Sequence, residues 1–199
     1  LADRHVAPPG SEGEFSECIV RLPDTFQPND NQRAISSAVP TRASQGLPES
    51  GFVFCCHNST YKVLPGMFDI WMRLLHRVPG SVLWLVNDGE PVCANLRAQA
   101  ARRGIDGGRL VFAERCAYGD YLARYRLADL FLDTLPFNAG TTASDALWAG
   151  LPVLTQTGRS FAGRMAASLL HAVGLPELVT QTADEYEALA LRLATHAQE

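Results

Sequence analysis

Lys62, Thr141, Thr142 and Asp145 are the side chains of this 199-residue sequence whose types and settings suit work on a nucleoside diphosphate. The apolar run Leu130-Phe131-Leu132 stops at Asp133, and a loop with Pro136, Asn138 and Gly140 leads into a helical segment opening at Thr141-Thr142. A helix that begins just after a strand and a small-residue loop presents unpaired N–H groups and the positive end of its dipole. Two hydroxyls at that mouth suit phosphates, and Asp145, one turn further in, suits a ribose diol. The structural alternative is a plain strand-to-helix connection, which most such turns are. Lys62 follows another apolar run, in His57-Asn58-Ser59-Thr60-Tyr61-Lys62, where it could supply a point charge to a diphosphate or simply be a solvated surface lysine. His57 in the same loop could be a base or merely exposed.

A third loop, Glu114-Arg115-Cys116-Ala117-Tyr118, runs into a helix carrying Tyr121 and Arg124. An aromatic ring there could stack on a base. Equally, Tyr121 and Tyr125 could be half-buried helix residues and Arg124 a surface decoration. Arg164, early in a later helix, reads as either an ion-pair partner or a ligand contact. No acid/base carboxylate pair, no Ser/His/Asp set and no metal-ligand cluster emerges. Gly104, Gly107 and Gly108 fit neither standard phosphate-loop spacing and precede a strand. A nucleotide pocket without an evident base implies an active site completed by another segment or lobe.

The elements that must position these loops alternate regularly from Gly51 onward. Strands are expected at Phe52–Cys56, Ser81–Val86, Arg109–Phe112, Leu130–Leu132, Val153–Leu154 and near Leu178–Val179. Helices are expected at Pro65–Arg77, Pro91–Arg103, Tyr118–Leu127, Thr142–Trp148, Phe161–Val173 and Ala183–Ala194. Strands separated by single helices run parallel in one sheet, and unbroken apolar runs rather than alternation mean burial on both faces. The expectation is a doubly wound α/β domain with a parallel, Rossmann-like sheet of about six strands. Such sheets bind ligands beyond the carboxyl ends of their strands. Residues 1–50 read as an irregular strip: Pro8, Pro9, Gly10, Gly13, Pro23, Pro28, Pro40, Gly46 and Pro48 interrupt every periodic stretch. Only Cys18–Leu22 could be a short strand, and the strip should lie along another lobe or link two domains.

Bulk properties narrow the class. Nearly half the residues are apolar (47%), and the net charge of −4 argues against a nucleic-acid-backbone binder. No apolar run approaches a membrane span, and no basic-then-apolar leader is visible. The chain lacks an initiator Met, which suggests a piece of something larger. Cys18, Cys55, Cys56, Cys93 and Cys116 are odd in number with no C-x-x-C pair, pointing to a reducing, cytoplasmic setting.

Taken together, several stretches resemble the O-linked N-acetylglucosamine (O-GlcNAc) transferase family, with its Spindly-type O-fucosyltransferase relatives. They are Phe15-Ser16-Glu17, Leu22–Phe26, Asn58–Lys62, Arg77-Val78-Pro79 with Ser81–Leu85, and Leu127-Ala128-Asp129 with Leu132-Asp133-Thr134. Thr141-Thr142 with Asp145, Leu147–Gly150, and Arg164–Ser168 complete the set. The resemblance runs in order over nearly the whole chain. It implies a two-lobed GT-B glycosyltransferase preceded by tetratricopeptide repeats. Residues 51–199 would be its C-terminal nucleotide-sugar-binding lobe, and residues 1–50 an interlobe strip leaving an N-terminal lobe that is absent here.

By the same resemblance, Lys62 neutralises the departing diphosphate, Thr141 and Thr142 contact the phosphates, and Asp145 holds the ribose. The Cys116 loop reads the base, flanked by Tyr121 and Arg124. The implied reaction is metal-independent, needs no cofactor, and transfers a sugar with inversion from UDP-GlcNAc to Ser/Thr of a polypeptide. Many members carry His where Gly140 stands, Gln where Ser59 stands, and Lys and His at Tyr118 and Tyr121. These departures remove donors near the phosphates and base. They leave GDP-fucose, or a non-catalytic nucleotide-binding or scaffolding module, as alternatives.

Overall fold

The computed structural model describes residues 1–38 and 40–196. Its centre is a six-stranded sheet in which every pairing is parallel, in the order β3-β2-β1-β4-β5-β6. The strands are β1 (Val53–Cys56), β2 (Val82–Val86), β3 (Leu110–Ala113), β4 (Leu130–Leu132), β5 (Val153–Gln156) and β6 (Val179–Thr180). Chain order runs outward one way through β1, β2 and β3, then returns to β4 beside β1. The register sets Phe54 opposite both Leu83 and Leu130. This is the doubly wound α/β architecture expected from the sequence, and its reversal point lies between β1 and β4.

The strands are short and almost wholly apolar because both faces are covered. All of β1 and β4 is buried. The helices are α1 (Pro65–Arg77), α2 (Glu90–Arg102), α3 (Tyr118–Arg124), α4 (Thr141–Trp148), α5 (Met165–Ala172) and α6 (Ala183–Thr195). Helix α1 starts on Pro65, whose missing N–H costs nothing in a first turn. Its buried face carries Phe68, Trp71, Leu74 and Leu75. Helix α6 opens with a reciprocal capping box between Thr182 and Glu185 and returns along α1. There Trp71 Nε1 lies 3.4 Å from Tyr186 Oη, and Arg73 pairs with Glu187 at 2.6 Å.

Two expected helices are shorter than the pattern suggested. Helix α3 ends at Arg124, and Tyr125–Leu127 tighten into a 3-10 turn before Ala128 extends into β4. Helix α5 starts at Met165 rather than Phe161, because the residues before it fold against the β4–α4 loop. Gly158 N–H bonds Gly163 O at 2.5 Å, Arg164 Nε donates to Gly158 O at 3.1 Å, and Asn138 N–H reaches Ala162 O at 2.8 Å. Arg164 is thus a loop staple.

The strip at residues 1–50 is irregular but not featureless. Ala2, Val6 and Ala7 are buried in a small cluster with Phe15, Ile19 and Phe26, completed by Phe161 and Met165 of the larger domain. Cys18–Leu22 forms no strand. A single parallel bridge joins Arg21 to Ala2, and Pro23 ends it.

The contact between the β5–α5 and β4–α4 loops depends on residues without side chains. A Cβ on Gly163 would lie 3.0 Å from Pro136 O and 3.1 Å from Gly158 Cα, so backbone must move to admit it. Gly163→Ala is therefore expected to destabilise the chain by about 1–3 kcal/mol, the usual cost of overpacking. Gly66→Ala, in α1 with open space around the added methyl, is expected to leave the melting temperature unchanged or higher. Thermal unfolding of the two variants checks the contrast.

Candidate functional site

A cavity of about 350 Å³ opens beyond the carboxyl ends of β1, β2 and β3. Ser59 from the loop after β1, Asp88 after β2, Glu114 to Cys116 after β3, and Tyr118, Tyr121 and Arg124 of α3 line it. The three residues expected at the base, Cys116, Tyr121 and Arg124, are thus brought to one cavity together with Ser59, which was expected among the nucleotide-sugar contacts. Arg124 is buried, not a surface decoration: it donates to Glu114 O at 2.8 Å and contacts Cys116 Sγ, so it holds the loop after β3 in shape. Tyr121 shares a 2.6 Å hydroxyl contact with Tyr125 and stacks beside Tyr118 with centroids 6.0 Å apart. Burial pushes the Tyr121 phenol well up, so it stays a neutral aromatic wall.

His57 is buried rather than exposed. It is 8% exposed, edge-on to Trp84 and tilted against Tyr125, and neither ring nitrogen has a partner among the described residues. Desolvation, helped by the nearby Arg124 charge, lowers its pKa to about 3. It stands in the cavity wall as a neutral ring.

The second half of the site surrounds the mouth of α4. Lys62 ends a 3-10 turn, Thr60–Lys62, which Asp88 pins by accepting from Thr60 N–H at 2.9 Å and Thr60 Oγ1 at 2.8 Å. From there Lys62 Nζ donates to Asn138 O at 3.2 Å and lies 4.0 Å from the centre of the Phe137 ring. Partial burial lowers the Lys62 pKa, and the carboxylate of Asp133 opposes that shift. Helix α4 has Gly140 at its N-cap with no side-chain cap, Thr141 exposed and Thr142 half-buried. Its first turn therefore keeps its donors for something other than its own side chains.

Asp145 is almost completely enclosed (3% exposed). Its Oδ1 accepts from Tyr118 Oη at 2.7 Å and from Arg33 Nη1 at 2.7 Å. Tyr118 also lines the cavity, so it bridges the cavity to the mouth of α4. The expected site residues thus fall into two groups: the cavity set, and Lys62, Gly140, Thr141, Thr142 and Asp145 around α4. Among the described residues no three His, Cys, Asp or Glu side chains cluster as metal ligands.

The sequence model of glycosyl transferase family 41 matches residues 23–199. The chain belongs to this family. It is 40% identical over 162 residues to the UDP-N-acetylglucosamine–peptide N-acetylglucosaminyltransferase of Caenorhabditis elegans, covering 81% of this chain and 14% of that protein. To the probable Arabidopsis thaliana enzyme of that description named SEC it is 35% identical over 200 residues, 98% of this chain and 20% of that one. An O-GlcNAc transferase mutant of Thermobaculum terrenum superposes with a TM-score of 0.83 at 34% identity, covering 97% of this chain and 36% of that structure. The chain therefore spans a fifth or less of these curated relatives. Its fold is that of the GT-B glycosyltransferases among its structural neighbours.

Sequence reasoning did not single out three residues that shape this candidate site: Asp133, Asn58 and Arg33. Asp133 ends β4 and is buried. Its Oδ1 accepts from the N–H groups of Thr134 and Ala139 at 2.7 Å each, and Asn58 Nδ2 lies 3.4 Å away. Its Oδ2 accepts from Thr155 Oγ1 at 2.6 Å. Desolvation outweighs these donors and raises its pKa to about 7. The clue in the sequence was a carboxylate ending an apolar strand just before a small-residue loop.

An aspartate whose folded pKa lies above its unfolded value binds an extra proton when folded, so its contribution to stability falls as pH rises between the two values. Here the window runs from 3.8 to about 7. Asn mimics the protonated carboxyl. The stability advantage of the wild type over Asp133→Asn is therefore expected to be largest near the lower end of that window and smallest near its top. Denaturant melts at both ends check this, and an advantage that grows with pH contradicts it.

Proposed function

We propose that this chain is the C-terminal, nucleotide-sugar-binding lobe of a protein O-GlcNAc transferase that uses UDP-GlcNAc as donor. The observation that carries the reading is the meeting of Lys62 with the β4–α4 loop. A buried carboxylate shapes that loop, an uncapped helix mouth follows it, and an ammonium group is anchored on its Asn138 carbonyl. Lys62 and the first N–H groups of α4 stabilise the negative charge that develops on the diphosphate as it departs. Thr141 and Thr142 contact the phosphates, Asp145 takes the ribose, and the cavity beneath Tyr118 and Tyr121 takes the base.

In this reading a Ser or Thr hydroxyl oxygen of the acceptor polypeptide attacks the anomeric carbon of the sugar. The bond from that carbon to the diphosphate oxygen breaks, its electron pair leaves with UDP, and the configuration inverts. The hydroxyl proton passes to a group of the N-terminal lobe. Residues 1–50 form the interlobe strip, and tetratricopeptide repeats precede the missing lobe. No helix among the described residues is long and apolar enough to cross a membrane, and all five cysteines are unpaired. Both fit the cytoplasmic setting proposed here.

Calorimetric titration with UDP, GDP and UDP-GlcNAc tests the donor. The chain is expected to bind UDP and to turn over no sugar by itself. Lys62→Ala is expected to weaken UDP by about tenfold, as the loss of a charge-assisted contact does. In the complete two-lobed enzyme the same change is expected to cut the transfer rate by about 10²–10³. A preference for GDP would replace the reading with a protein O-fucosyltransferase, and no binding of any nucleotide would leave a scaffolding module. Turnover by the isolated chain would overturn the need for a second lobe.

A further inference from the structure

We propose that Arg33, on the irregular strip, is a positioning residue for ribose recognition, holding Asp145 so that one carboxylate oxygen is reserved for the nucleotide diol. The inference rests on the reading of Asp145 as the ribose-binding carboxylate and deepens it.

Arg33 lies 112 positions from Asp145 in sequence, yet its Nη1 donates to Asp145 Oδ1 at 2.7 Å. The two side chains are 10% and 4% exposed, so the pair is withdrawn from water. The guanidinium has no freedom to wander. Its Nε donates to Asp30 O at 2.9 Å, its Nη2 lies 3.3 Å from Ser144 Oγ, and its centre sits 4.9 Å above the Trp148 ring. The backbone of the same residue is tied down as well, because Trp148 Nε1 donates to Arg33 O at 3.2 Å.

Tyr118 Oη, from the wall of the cavity, donates to that same Oδ1 at 2.7 Å. Two donors thus converge on one oxygen, and no protein donor among the described residues reaches Oδ2. A carboxylate fixed at one oxygen cannot rotate, and its other oxygen keeps a set direction with its lone pairs unused. A vicinal diol is the ligand chemistry that uses such an oxygen, because its hydroxyls donate. Neutralisation by Arg33 also makes a buried Asp145 tolerable when the site is empty.

A purely structural ion pair would lock the strip to α4 and change the affinity of every nucleotide alike. A positioning role instead changes the discrimination between nucleotides with and without the diol. The test is calorimetric titration of the chain with UDP or GDP, whichever it binds more tightly, and with the 2′,3′-dideoxy counterpart. Wild type is expected to prefer the diol-bearing nucleotide by about tenfold, the worth of a hydrogen bond to a charged group. Arg33→Met is expected to bring that ratio to within about threefold.

Tyr118→Phe, which removes the other Oδ1 donor while keeping the ring, gives a second arm should Arg33→Met not fold, and is expected to lower the ratio in the same direction. An unchanged ratio in the folded Arg33→Met protein, or in Tyr118→Phe where only that variant folds, overturns the proposal. A wild-type ratio near one, with tight nucleotide binding, overturns it while sparing the diphosphate reading. Absence of binding to any nucleotide overturns both.

Discussion

Asp133 is the point on which the functional end of the sheet depends. It sits at the end of β4, beside β1, where the strand order reverses, and its carboxylate draws in groups from several elements at once. Thr134 and Ala139 give N–H groups from the loop it opens, Asn58 reaches across from the loop after β1, and Thr155 donates from β5. Its carbonyl oxygen accepts from Tyr186 Oη of α6 at 3.0 Å, which ties the last helix to the same spot. A buried charge-capable group of this kind is costly unless surrounded by donors, and here the donors are the backbone of the loop itself. The loop conformation and the carboxylate satisfy each other. That is why Asn138 O is where Lys62 can reach it, and why α4 begins at Thr141.

From this centre the site divides into two halves with different physics. The cavity half pairs an aromatic side with charged groups: His57, Tyr118 and Tyr121 stand in its wall with Trp84 and Tyr125 packed behind, while Asp88, Glu114, Arg115 and Arg124 also line it, Arg124 being spent on Glu114 O and the Cys116 sulfur. The α4 half is electrostatic, with Lys62, the helix mouth and the Arg33–Asp145 pair. Tyr118 belongs to both, with its ring in the cavity wall and its hydroxyl on Asp145. The nucleotide proposed above makes matching demands, since a planar base suits an aromatic wall and a diphosphate suits a cluster of donors.

The fold was legible because its signals are local. Runs such as Val53–Cys56 and Leu130–Leu132 are too short and too apolar for anything but buried strands. The helical spacing of Met67, Ile70, Trp71, Leu74 and Leu75 names the face that α1 turns inward. The errors fell where tertiary contact overrides pattern. Phe161 reads as the start of a helix, but it serves the small cluster around Val6, while the glycines beside it let two loops touch. In the candidate site, the strand-exit rule pointed to the loops that hold Ser59, Lys62, Cys116 and Thr141, while the choice of Ser59 and Cys116 within them came from the family resemblance. Arg33 was reached by neither. It lies in a polar, unpatterned run, and its relation to Asp145 exists only once the strip is laid across α4. His57 was misread for a similar reason, since nothing in its neighbours announces that Trp84 and Tyr125 will close over it.

The strip therefore belongs to the site rather than beside it. Its contacts gather on the middle of α4 and α5: Asp3 accepts from Ser168 Oγ at 2.5 Å, Asn29 accepts from Ser144 Oγ at 2.5 Å, and Arg33 reaches Asp145. Gln27 completes the series, because its Oε1 lies 3.3 Å from where a Cβ on Gly140 would stand. With no side chain at Gly140, the space above the helix mouth is shared by Gln27 and Met165. A larger residue there would press first on a flexible amide and a flexible thioether, so the mouth is bounded by mobile side chains rather than by backbone. The boundary at Gly140 is thus supplied jointly by the strip, through Gln27, and by α5, through Met165. A change in how the strip lies would alter the mouth of α4 and the pair at Asp145 together, since Gln27 and Arg33 sit six positions apart on the same stretch.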